Sequence, residues 1–115
     1  MTKSTCPSED AEQITFIREF EKRYPDVRIF SVPNGGYRHK SVAIKMKLTG
    51  LKPGVPDLYI PAWHTWVEMK REKGGRVSPE QKDWHQYLES CGDRVIIGKG
   101  WRHAIEQIEA IDKTN

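Results

Sequence analysis

Three side chains in the stretch VPDLYIPAWHTWVEMKRE, residues 55–72, could do phosphate chemistry together: Asp57, Glu68 and Lys70. The aspartate opens a short apolar run, and the Glu-x-Lys pair closes the next one. If the two runs are strands of a hairpin centred on Ala62-Trp63, Ile60 faces Thr65 and Leu58 faces Val67, so Asp57 falls opposite Glu68. Directly opposed residues have Cβ atoms about 4.5–5.5 Å apart. Carboxylates that close repel, and one takes up a proton unless a cation lies between them. Side chains alternate across a strand, so Lys70 shares a face with Glu68 while Met69 points the other way. Hard oxygen ligands suit Mg²⁺ or Mn²⁺ better than zinc, and the lysine could orient a water or stabilise charge on a phosphate. The competing reading is a surface Glu–Lys pair beside a turn aspartate, since Glu-x-Lys by itself arises by chance in many chains.

Holding these groups requires a sheet and helices to cover it. From about Ser8 to Tyr24, Ile14, Ile17, Phe20 and Tyr24 recur at three- and four-residue steps, which predicts an amphipathic helix with those residues inward. Pro25-Asp26 ends it. VRIFSV at 27–32 predicts a strand, followed by a Pro-Asn-Gly-Gly turn at 33–36. A basic helix over 38–49 stops at Gly50, and strands over 57–60 and 65–70 follow. Ser78, Pro79 and Gln81 supply an N-cap, a first helical residue and a capping box. The helix they start would bury Trp84, Tyr87, Leu88 and Cys91. A buried strand over 93–97 and a last helix over 101–111 complete the order α-β-α-β-β-α-β-α, an α/β domain with one mixed sheet flanked by helices.

A chain of 115 residues is long enough for one core and too short for two. Residues 1–7 read as a flexible tail and 8–115 as the domain. No apolar run exceeds three residues, which excludes a membrane-spanning helix, and the N-terminus lacks the hydrophobic stretch of a signal peptide. The expectation is a cytoplasmic protein. Cys6 and Cys91 have no metal-like spacing, and no disulfide is expected. The net charge of +3 is mild, but no acidic residue lies between Asp26 and Asp57, a stretch carrying Arg28, Arg38, His39, Lys40, Lys45, Lys47 and Lys52. That asymmetry suggests an anionic partner, nucleic acid first; the alternative is a solvated basic helix face.

Gly-Val-Pro-Asp-Leu at 54–58, Val-Glu-Met-Lys-Arg at 67–71 and Gly-Gly-Arg-Val-Ser-Pro-Glu-Gln-Lys at 74–82 together resemble the VRR-NUC family of the PD-(D/E)XK nuclease superfamily. Pro56-Asp57 matches the PD element, Glu68-Met69-Lys70 the E-x-K element, and Ser78–Lys82 the following helix with its active-site glutamine. Glu9 with Gln13 resembles the first-helix Glu-x-x-x-Gln, and Val32–Gly36 the strand-end Pro-Asn-Gly. The likeness runs from about Glu9 to Ile108 and is greatest to stand-alone, phage-type members. It implies a restriction-endonuclease-like fold and a metal-dependent endonuclease leaving a 5′-phosphate and a 3′-hydroxyl. Asp57, Glu68 and the Met69 backbone carbonyl would hold Mg²⁺, with Mn²⁺ able to substitute. Glu9 would help directly or through water, with Glu12 as the alternative. Lys70 would position the attacking water, and Gln81 would orient Lys70 or that water, a task that competes with its capping-box role.

Given that resemblance, Asn34, Gly35, Gly36, Arg38, Lys40, Lys45, Lys47 and Lys52 could line the DNA path. Nothing resembles a sequence-reading module, so structure-selective cutting of branched DNA is expected. Two symmetric incisions at a four-way (Holliday) junction call for a homodimer, with tryptophans as possible contact surface. The four histidines read as surface or packing residues. The rivals are a flap- or nick-directed monomer and a non-catalytic nucleic-acid-binding module of the same fold.

Overall fold

In the computed structural model the described residues are 6–33 and 39–114. Helix α1 (Glu9–Arg23) begins where the Ser8 side chain accepts a hydrogen bond from the Ala11 N–H. Its inward stripe is Glu12, Phe16 and Phe20. Ile14, expected inward, is 63% exposed, because the sheet-facing positions are four apart and begin at a glutamate.

Strands β1 (Phe30–Ser31), β2 (Leu58–Ile60), β3 (Thr65–Lys70) and β4 (Arg94–Lys99) form one mixed sheet in the order β1-β2-β3-β4. The first two pairings are antiparallel and the third is parallel. Helix α3 (Pro79–Ser90) supplies the crossover that a parallel pair requires. The element order is the expected one. Strand β1 is shorter than the predicted 27–32 because β2 offers it only a short edge. Phe30 pairs with Tyr59 and Ser31 with Leu58, after which the Val32 N–H bonds the Asp57 carbonyl at 2.8 Å.

Between β2 and β3 the chain makes a 3₁₀ turn over Pro61–Trp63 and then passes through His64 in the left-handed region, φ 48°. This loop keeps the predicted register, with Ile60 opposite Thr65 and Leu58 opposite Val67. Alternation therefore divides β3 as expected. Val67 and Met69 join Phe16, Phe20, Leu58, Ile60 and Ile96 in the core, under α1 and helix α4 (Trp101–Ala110). Helix α4 contributes Ala104, Ile105 and Ile108. It lies so close to β4 that a Cβ at Gly98 would sit 2.5 Å from the Ala104 Cβ. Glu68 and Lys70 turn to the opposite face, toward α3.

Trp63 packs edge-on against Phe20 and Tyr24. Trp66 lies against Tyr59 and donates to Asp93 at 2.9 Å. Helix α2 (Lys40–Leu48) buries no residue. In α3 the buried residues are His85 and Leu88, whereas Tyr87 and Cys91, expected inward, are exposed. Among the described residues no helix is long and apolar enough to cross a membrane.

Candidate active site

Asp57 precedes Leu58 and Glu68 follows Val67, so the two acids occupy the positions just beyond the last ladder pair. The Met69 N–H donates to Asp57 Oδ2 at 2.7 Å. Asp57, Glu68 and Lys70 are 7%, 1% and 5% exposed, so all three are withdrawn from bulk water. The Asp57 carboxyl is pushed up to about 7, first by burial and then by the charge of Glu68 and a hydrogen bond with it. The Met69 N–H opposes the rise, and the Glu9 charge adds to it.

The first two turns of α3 bring the groups that hold Glu68 and Lys70. The Ser78 hydroxyl accepts from the Gln81 N–H at 3.1 Å, and Gln81 Oε1 accepts from the Ser78 N–H at 2.8 Å, closing the capping box. The same oxygen accepts from Lys70 Nζ at 2.9 Å, and Gln81 Nε2 donates to Glu68 Oε2 at 3.2 Å. Capping and active-site contact therefore do not compete. An amide oxygen has two lone pairs and its nitrogen separate hydrogens, enough for all these bonds at once. One turn further on, His85 Nε2 lies 3.3 Å from Glu68 Oε1. The sequence reading missed this residue. Its signal was the four-residue step from Gln81, which puts both side chains on one helix face.

Glycines set the distances between elements. Gly54 has φ +98°, and a Cβ there would lie 2.6 Å from the Glu80 carbonyl oxygen. Only a bare backbone lets the Pro56-Asp57 segment approach the first turn of α3 so closely. On the other side, the Gly100 N–H bonds the Lys70 carbonyl at 2.9 Å.

The two first-helix acids part ways. Glu12 is 3% exposed, and its Oε1 accepts from the Trp101 N–H at 2.9 Å, so it serves the start of α4. Glu9 is exposed in the first turn of α1 and acts on Asp57 through its charge. Lys40, Lys45 and Lys47 are exposed along α2, and Lys52 is exposed in the loop after it. Asn34, Gly35, Gly36 and Arg38 lie outside the described residues, as do residues 1–5 of the expected tail.

Two buried carboxylates sharing a hydrogen bond, with one held toward its protonated form by the other, make a pair that a hard cation would relieve. Among the described residues no three His, Cys, Asp or Glu side chains converge as a ready cage. Such a pair still fits Mg²⁺, which keeps several waters and uses one or two protein carboxylates.

The sequence profile of the VRR-NUC domain matches residues 7–100. A solved structure of a VRR_NUC domain protein superposes with a TM-score of 0.71 at 24% identity, covering 91% of this chain and 88% of that one. No curated protein matches the sequence. The mixed sheet and its flanking helices are thus those of a nuclease with the restriction-endonuclease-like fold, a hydrolase acting on DNA. The chain belongs to the VRR-NUC family.

Proposed function

We propose that the protein is a divalent-metal-dependent endodeoxyribonuclease that selects branched DNA, such as a four-way junction, and acts as a homodimer. The observation that carries this reading is the burial of Asp57, Glu68 and Lys70 on one sheet face, with Gln81 bonded to both Glu68 and Lys70. Asp57, Glu68 and the Met69 carbonyl would hold Mg²⁺ or Mn²⁺, with Glu9 the first-helix acid that assists. When bound, the ion supplies Lewis-acid neutralisation of the charge that builds on the phosphoryl oxygens.

The remaining work falls to the chain's own residues. Lys70, steadied at Nζ by Gln81, directs the attacking water and balances negative charge on the phosphorane-like transition state. The exposed lysines of α2 and Lys52 engage backbone phosphates, which gives affinity without sequence preference. Helix α2 supports the dimer. It leaves Ile44 and Leu48, one turn apart on one side, at 50% and 82% exposure, and Val42 at 46% on the side of Met46, which lines a groove of about 510 Å³ with Leu51, Val55, Trp66 and Trp84. Exposed apolar side chains of that kind on a small domain suit a self-complementary contact.

The test compares the parent with Asp57→Ala and Lys70→Ala on four-way junction, flap and linear duplex, in Mg²⁺ or EDTA. Each substitution is expected to slow cutting by at least about 100-fold, given the several kcal/mol that such groups supply. Cutting in EDTA, or variants as active as the parent, would overturn the mechanism. Equal cutting of the three substrates would overturn only the selectivity for branched DNA.

A further inference from the structure

His85 is a buried ionisable side chain that the mechanism above does not use. It is 7% exposed, and its Nε2 lies 3.3 Å from Glu68 Oε1. A carboxylate in its ionised form can only accept, and toward that form Nε2 is the donor in this contact. Gln81 Nε2 meanwhile donates to the other oxygen, Oε2, at 3.2 Å. Residues 81 and 85 are one helical turn apart, and both project from α3 toward β3. Each oxygen of Glu68 thus receives one donor from the same rigid helix, whose start is fixed by a complete capping box.

We propose that His85 is a positioning residue that, with Gln81, clamps the Glu68 carboxylate in the orientation that receives the divalent ion. The inference rests on the metal-dependent reading of the site given above. A carboxylate held at one oxygen can swing about its terminal torsion, which is broad and roughly two-fold. Held at both, it keeps its remaining lone pairs aimed at the space shared with Asp57. Donors of this outer kind orient ligands and raise metal affinity, and their loss typically weakens binding on the order of 10–100-fold.

The glutamine and asparagine variants separate donor reach from packing. A glutamine amide nitrogen falls near the imidazole Nε2 position, whereas an asparagine amide falls near Nδ1 and stops short of Glu68. Mn²⁺ would be titrated calorimetrically into the full chain without DNA, for the parent, His85→Gln, His85→Asn, His85→Leu and Asp57→Ala, with a thermal melt of each. His85→Asn and His85→Leu are expected to bind Mn²⁺ on the order of 10–100-fold more weakly, and His85→Gln to recover most of that loss. Binding by His85→Asn equal to the parent's, or by His85→Gln as weak as by His85→Asn, overturns the role. If His85→Leu does not fold, the Gln–Asn comparison decides alone. A parent that binds no Mn²⁺, or Asp57→Ala binding as tightly as the parent, overturns the metal reading itself and this inference with it.

Discussion

At the scale of single residues, Asp57 sets how the free protein responds to pH. Its carboxyl is raised from an ordinary 3.8 to about 7 in the folded chain, by burial foremost and by Glu68 next. Between those values the folded state binds the proton and the unfolded chain does not. The Asp57 contribution to stability is therefore full below about pH 4 and is lost as pH rises through 7, by an amount on the order of a few kcal/mol. Thermal melts in EDTA from pH 4 to 8 are expected to show the parent losing stability relative to Asp57→Asn, which mimics the protonated acid. A pH-independent difference would refute the perturbation. Added Mg²⁺ is expected to restore the parent most at the alkaline end. The sequence made Asp57, Glu68 and Lys70 legible because strand alternation and hairpin register follow from numbering alone. It did not reveal His85, because a polar residue on an apolar helix stripe looks like packing until its partner on β3 is known. Nor could it show that Glu12 is buried against the start of α4 while Glu9 stays exposed. That difference depends on where the start of α4 lies relative to α1, a contact between residues far apart in the chain.

At the scale of elements, the centre exists because α3 meets the strand-entry segment at close range. Gly54→Ala would force an L side chain into φ +98° and drive its Cβ toward the Glu80 carbonyl, 2.6 Å away. A loss of about 1–3 kcal/mol is expected, read as a lower urea midpoint, together with slower cutting as α3 shifts away from Asp57. An unchanged midpoint would show that the approach is relaxed elsewhere. Local chemistry announced the elements with strong end signals. Ser78 caps α3 as its sequence implies, and the 61–64 loop keeps the hairpin centre although it uses a 3₁₀ turn and a left-handed histidine. The helix faces were less legible. The inward stripes of α1 and α3 contain Glu12 and His85, polar residues buried because each meets a specific partner. Hydrophobic periodicity counts apolar residues and passes over such positions.

At the scale of the whole molecule, the proposed reading asks one helix to serve both self-association, through the exposed apolar residues of α2, and DNA, through its lysines. Leu48, 82% exposed, is the position where a charge does least harm to the fold. Leu48→Glu is expected to convert the dimer to monomer in light scattering and paired junction incision to single nicks, with linear-duplex nicking within about two-fold of the parent; a variant that stays dimeric would remove α2 from the interface. The opposite side of the molecule carries a different consequence. The Glu12 carboxylate meets the Trp101 N–H, and Phe16 and Phe20 share one core with Ile105 and Ile108. The first helix and the last thus complete a single layer over the apolar backs of β2 and β3. A chain emerging from the ribosome presents its hairpin, acids and lysine included, long before residues 101–110 arrive to cover it. Until then the nascent polypeptide has the residues of a nuclease without the rigid geometry that makes it one.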